Sequence, residues 1–154
     1  MFHCVLYQPE IPPNTGNIIR LCANTGTHLH LIQPLGFILD DKRLRRAGLD
    51  YHEWINVQEY ATLTAFLEMV HPIRLFACST RGTLCYTEPH YQPGDALLFG
   101  PETRGLPREI LQQLPPSHVL RIPMRPQQRS LNLANTVAII IYEAWRQQGF
   151  KNSQ

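Results

Sequence analysis

The sequence predicts an α/β domain, a parallel sheet with helices on both faces. Three observations lead there. Short β-rich apolar runs alternate along the chain with segments of helical periodicity. Four loops that follow strand ends are rich in Gly, Pro and polar turn residues: 12–16, 79–82, 100–107 and 123–130. The 154 residues are 44% hydrophobic and 17% charged, which suits one packed core and excludes a disordered chain. No internal repeat, low-complexity stretch or linker interrupts them, so residues 1–154 are expected to form one domain, with 149–154 a short polar tail.

Phe2–Tyr7 is the first expected strand, closed by the turn-forming Gln8-Pro9-Glu10-Ile11-Pro12-Pro13. A helix is expected from Asn14, an N-cap residue type, to a stop at Gly26. His28–Ile32 follows as the second strand. Asp40–Gly48 reads as a short helix, acidic in its first turn and closed by glycine. Glu53–Val57 is expected as a strand, and Glu59–Val70 as a helix with Leu63, Phe66, Leu67 and Val70 on one stripe. Ile73–Cys78 and Ala96–Phe99 are apolar strands, Pro107–Leu114 a short helix, and His118–Ile122 a strand. The last helix is expected from about Asn132 to Gln148, ended by Gly149. From Leu131 to Trp145 it is apolar nearly all round, including Val137, Ile139, Ile140, Ile141 and Ala144. Such a helix must be buried on every side, and in a chain this small a second copy is the expected cover.

Several functional classes are excluded by what is missing. The longest apolar stretch, Val137–Tyr142, is far too short to span a bilayer. Met1–Val5 has no basic segment leading into an apolar one, so a cytoplasmic protein is expected. Cys4, Cys22, Cys78 and Cys85 are scattered without a Cys-x-x-Cys pair and read as reduced, small hydrophobes. His28 and His30 share a strand face, but no third ligand lies near them in sequence, and no metal is expected. The net charge of +2 neither requires nor forbids a nucleic-acid partner.

In an open parallel sheet, ligands bind beyond the carboxyl ends of the strands, where the four special loops lie. The dinucleotide fingerprint is absent, because Gln8-Pro9-Glu10 stands where G-x-G-x-x-G would follow the first strand. Gly100-Pro101-Glu102-Thr103-Arg104-Gly105 has P-loop glycine spacing, but Leu106-Pro107 replaces the required Lys-Ser/Thr. These absences disfavour a nucleotide-dependent oxidoreductase and a P-loop NTPase. A phosphate-free adenosine cofactor, S-adenosylmethionine, fits better.

Three motifs occur in order: Pro13-Asn14-Thr15-Gly16-Asn17-Ile18-Ile19-Arg20, Leu98 through Pro107, and Ile122-Pro123-Met124 followed by Arg129-Ser130-Leu131-Asn132-Leu133-Ala134-Asn135. In order and spacing they resemble the SPOUT methyltransferases over essentially the whole chain. The run from Asp40 to His52, with no added RNA-binding domain, resembles the minimal branch that methylates the ribose 2′-hydroxyl of the wobble cytidine or uridine in tRNA anticodon loops. The resemblance implies a deep trefoil knot in the C-terminal half and a homodimer whose active sites are completed by two subunits. It also implies S-adenosylmethionine held in the knotted loops by Cys78, Gly100, Glu102, Ile122, Met124, Ser130, Leu131 and Asn132, several through main-chain groups.

Methyl transfer to a ribose needs the hydroxyl in line with the sulfonium methyl and its developing charge stabilised. Arg20 is the first catalytic candidate. It lies with Asn17 and Asn24 on a polar stripe of the first helix, which would otherwise be a solvated face. A guanidinium stays charged near neutrality, so its expected part is to grip phosphate and stabilise an alkoxide rather than to accept a proton. Asn14 is the second candidate, as helix cap, as rim residue, or as both. Glu102 either bonds a ribose hydroxyl or organises its turn, and Ser130 and Asn132 have helix capping as their other reading. Lys42, Arg43 and Arg46, with Arg129, are expected to hold RNA, beside the further cations Arg45, Arg121 and Arg125. Tyr142 is expected at the RNA or the partner subunit, unless it is a core tyrosine. Tyr51 and His52 are possible stackers, with Trp54 assigned to the core. A non-catalytic RNA- or cofactor-binding protein on the same scaffold is the alternative, disfavoured by intact Arg20, Glu102 and Asn135.

Overall fold

A computed structural model describes all residues 1–154. Its strands are β1 (His3–Tyr7), β2 (His28–Ile32), β3 (Gln58–Tyr60), β4 (Leu75–Cys78), β5 (Leu84–Cys85), β6 (Ala96–Phe99) and β7 (Val119–Arg121). Its helices are α1 (Pro12–Thr25), α2 (Asp41–Arg46), α3 (Tyr51–Trp54), α4 (Leu63–Val70), α5 (Arg108–Gln112) and α6 (Leu133–Gln147). The seven strands form one sheet in the order β3-β2-β1-β6-β4-β7-β5, and every ladder is parallel. A parallel sheet must be covered on both faces, and the alternation along β1 shows how. Cys4 and Leu6 point into the layer made by α1 and α6, with Ile18, Cys22, Val137, Ile140 and Ile141. Val5 points the other way, into a smaller cluster with Phe66 of α4 and Leu106.

Local chemistry sets the element ends. Gly26 closes α1 in the left-handed conformation expected of it. Thr62 caps α4 by accepting from Ala65 N, and Asp40 caps α2 by accepting from Arg43 N. Asn132 caps α6, accepting from Asn135 N at 3.3 Å.

Three expectations need correction. Asn14 does not cap α1. The helix begins two residues earlier with Pro12 and Pro13 in its first turn, where a missing N–H is harmless and the proline φ is already helical. Glu53–Val57 is not a strand. A capping box joins Asp50 to Glu53 and starts the single-turn α3, while the strand falls at Gln58–Tyr60. The α6 helix is amphipathic. Leu133, Val137, Ile140, Ile141 and Ala144 are buried by the chain itself, and Tyr142 is 44% exposed on the outer side. The two-residue β5 was not foreseen. The residues after Gly149 fold back, Phe150 packing edge-on against Trp145 and Lys151 O accepting from Trp145 Nε1.

Strand β7 lies between β4 and β5, although those two precede it and are joined by residues 79–83. That connection passes directly over β7. Ser79 N donates to Leu120 O at 3.0 Å, and a Cβ on Gly82 would stand 2.5 Å from the same oxygen. Only glycine permits so close a crossing.

Candidate active site

At the carboxyl ends of β4, β6 and β7, loops from three distant stretches of chain enclose a cavity of about 310 Å³. Of the eight residues expected around a cofactor, Cys78, Gly100, Glu102, Ile122, Met124, Ser130 and Leu131 line it. Asn132 stands beside it, its Nδ2 donating to Asn14 Oδ1 at 3.0 Å. Gly100 is needed for the loop's own shape, because a Cβ there would fall 2.4 Å from Leu106 N. Burial pushes the Cys78 thiol up to about 12, so it presents a neutral sulfur and not a nucleophile. From Ile122 to Leu131 no backbone group pairs with another, and this side of the cavity offers free N–H and C=O groups. Arg81, Arg104 and Arg121 also line the cavity. Sequence reasoning had marked only Arg121 among them, and for RNA.

Glu102 has a use that its sequence position did not reveal. Its carboxylate accepts from Glu10 N at 2.7 Å and Ile11 N at 3.2 Å, and Asn14 Nδ2 approaches it at 3.5 Å. It therefore satisfies the two backbone donors that lead into α1, whose first two residues, Pro12 and Pro13, have no N–H of their own. Glu10 returns the contact by accepting from Thr103 N at 3.0 Å and Thr103 Oγ1 at 2.7 Å. These two bonds from Thr103 hold the Glu10 carboxyl below its usual range. The two carboxylates thus clasp the cofactor-side loop to the first helix.

Arg20 does not line this cavity. It borders a second one, of about 450 Å³, walled by α1, α2 and the segment 37–39. Arg20 Nε donates to Glu53 Oε1 at 3.0 Å and Nη2 to Gly48 O. Glu53 is held below the usual carboxylate range first by the Asp50 backbone N–H and then by Arg20. The side chain that aims Arg20 was missed because its segment was read as a strand; the Asp50-x-x-Glu53 capping pattern was the available signal. The cations expected at RNA, Lys42, Arg43, Arg46 and Arg129, are all exposed. Arg43 pairs with Asp40 and borders the second cavity, while Arg129 stands in the exposed stretch 123–132. Tyr142 packs edge-on against Trp145 on the outer side of α6. Trp54 is buried and Tyr51 exposed.

At the opposite end of the sheet, His28 and His30 are joined by His3. His3 Nδ1 lies 3.0 Å from His30 Nε2, and His30 Nδ1 lies 3.0 Å from the Tyr60 hydroxyl. No group of three or more His, Cys, Asp or Glu side chains is placed to hold a metal ion. No helix is long and apolar enough to cross a membrane.

A parallel sheet with a loop-built cavity at its carboxyl rim defines a cofactor-binding α/β protein. The particular family follows from comparison: residues 1–142 match the SpoU rRNA Methylase family, and the chain belongs to it. Over 153 residues, 99% of this chain and 98% of the relative, it is 62% identical to the tRNA (cytidine(34)-2′-O)-methyltransferase of Aeromonas hydrophila. A solved structure concerned with 2-OH methylation of C/U34 on tRNA is 48% identical and superposes with a TM-score of 0.87, covering 98% of each chain. An AdoMet-bound rRNA methyltransferase from Sinorhizobium meliloti is 25% identical with a TM-score of 0.79, over 94% of this chain and 56% of that one.

Proposed function

We propose that this protein methylates the ribose 2′-hydroxyl of the wobble cytidine or uridine in tRNA, using S-adenosylmethionine and working as a cytoplasmic homodimer. One observation carries the reading: residues of the second and third motifs, joined by the segment 78–81, line a single rim cavity, in a chain 62% identical to a tRNA (cytidine(34)-2′-O)-methyltransferase.

The cavity suits the cofactor by its chemistry. The unpaired backbone groups of 122–131 match an adenosine, the neutral Cys78, Ile122, Met124 and Leu131 suit a sulfonium and its carbon chain, and Arg81, Arg104 and Arg121 offer charge to a carboxylate. When bound, the cofactor would supply an electrophilic methyl to the 2′-oxygen and keep the S–CH₃ electron pair on sulfur, while the hydroxyl proton would pass to solvent water. Arg20, aimed by Glu53 and Gly48 O, stabilises the oxygen as it becomes negative and grips the adjoining phosphate. Asn14, held between Glu102 and Asn132, keeps the start of α1 in register with the cofactor loops.

Because Arg20 lies away from the rim cavity of its own chain, the complete site takes α1 from a second copy. The half-buried Ile139 and Trp145 and the exposed Tyr142 of α6 supply an apolar stripe for that contact. The passage of β7 beneath residues 79–83 supports the deep trefoil knot. Lys42, Arg43, Arg46 and Arg129 are the RNA-holding cations of this reading.

Labelled S-adenosylmethionine with tRNA lacking wobble methylation, followed by digestion and mass spectrometry of nucleosides, tests the assignment. A 2′-O-methylated wobble pyrimidine is expected; label only on a base, or none, overturns it. Arg20→Ala should lower turnover roughly 100-fold or more, with cofactor affinity unchanged in a direct binding titration.

A further inference from the structure

We propose that the second cavity, between α1, α2 and residues 37–39, seats the pyrimidine ring of the target nucleotide, and that Gly16 keeps it open. The inference rests on the reading of Arg20 as the residue at the reacting ribose oxygen. The base leaves the ribose at the carbon next to the one bearing the 2′-hydroxyl, so a residue at that oxygen also stands beside the base. Arg20 borders this cavity, which at about 450 Å³ is of ordinary ligand size.

The lining has the character of a base site. Phe37 with Pro12 and Pro13 offers flat apolar walls, while Asn17, Arg20 and Arg43 bring hydrogen-bond donors to its edge. A pyrimidine O2 accepts such donors, and cytidine and uridine share it. Lys42, Arg45 and Arg46 on the exposed side of α2 lie beside the cavity for the flanking phosphates.

One feature of α1 has no use within this chain. Gly16 sits inside the helix, where glycine is about 1 kcal/mol worse than alanine. Its φ is not left-handed, and a Cβ built on it would meet nothing within 4 Å, so neither backbone strain nor packing calls for glycine there. What its missing side chain leaves is space in the cavity.

The test is a cycle of two enzymes and two substrates. Gly16→Leu fills the cavity from a helical position that tolerates leucine, and an anticodon stem-loop with an abasic wobble ribose keeps the 2′-hydroxyl but removes the base. The wild type should lose roughly tenfold or more in kcat/KM on the abasic substrate, the stacking contribution of one base. Gly16→Leu should lose as much on the normal substrate and nothing further on the abasic one. Its melting temperature should be no lower than that of the wild type, with cofactor affinity and dimer mass unchanged. Independent, multiplying losses overturn the proposal, as does a fully active Gly16→Leu. Conversion to monomer also overturns it, since the cavity would then belong to the subunit contact. If Gly16→Leu does not fold, Phe37→Ala takes its place, expected to abolish discrimination between the two substrates. A wild type that methylates no wobble ribose at all defeats the broader functional reading instead.

Discussion

Arg20 owes its direction to Glu53, a residue on another element that is itself fixed by a capping box with Asp50. The proposed action at one oxygen requires such a hold, because an exposed arginine otherwise keeps its rotamer freedom. His30 shows the opposite pressure, toward neutrality. It is 4% exposed, packed against Phe66 and bonded to His3 and Tyr60, with His28 close by. Burial, then the charges of His3 and His28, lowers it from 6.5 to about 3. Because Tyr60 donates to Gln58 Oε1 at 2.6 Å, its oxygen takes the His30 Nδ1 proton, and His30 Nε2 accepts from His3. The unfolded chain protonates His30 below about pH 6.5, while the folded chain does so only near pH 3. Stability is therefore full above pH 6.5 and lost as pH falls, by about 2–3 kcal/mol at pH 4.5 from this group. Denaturant midpoints measured between pH 7.5 and 4.5 should show that fall, and His30→Gln should flatten it.

Among the elements, the first helix depends most on residues outside itself. The backbone donors just before it are met by Glu102 from a loop that lines the rim cavity, and Glu10 ties the same loop back. The helix that carries Arg20 and the loop that lines the rim cavity are consequently one mechanical unit. A comparable fastening holds the sheet at its other end. Asp95, wholly buried, receives Arg74 through two bonds of 3.0 and 2.6 Å and Gln92 N at 2.7 Å. Asp95→Ala would leave the Arg74 charge and the Gln92 N–H unpaired, at a cost of about 2–4 kcal/mol. Thermal unfolding should record a fall of roughly 5–12 °C for a chain of this length.

At the scale of the whole molecule, the residues proposed for the cofactor line one cavity of the chain and Arg20 borders the other. If two copies complete each site, inactive variants with defects in different halves should rescue one another. Arg20→Ala and a cofactor-cavity block such as Ser130→Trp, unfolded and refolded together, should recover about a quarter of wild-type activity, since half of randomly assorted dimers carry one intact site. No recovery in the mixture, with each variant dimeric alone, would place the whole site within a single subunit.

Much of this was legible from the residue order because it is governed by near neighbours. Strand β2 and strand β6 were read to the residue, since short apolar runs between turn residues have few other options. Gly26 closes α1 as expected, and the acidic start expected of the second helix is there, with Asp40 as its N-cap. Local rules also misled at two points. Two prolines outweighed Asn14 at the start of α1, and a strand was read where the capping box of α3 rules.

What residue order alone determined is the parallel α/β sheet and the three motifs, because alternation, turn chemistry and motif spacing are properties of short stretches. Tertiary structure decided the rest: that Glu102 serves the start of α1, that Glu53 aims Arg20, that β7 runs beneath Gly82, and that Arg20 and the residues of the second and third motifs border different cavities. Each of those is a contact between residues 33 to 92 positions apart or a crossing of distant segments. Such partners are chosen by the packing of the whole sheet, and no local preference specifies them.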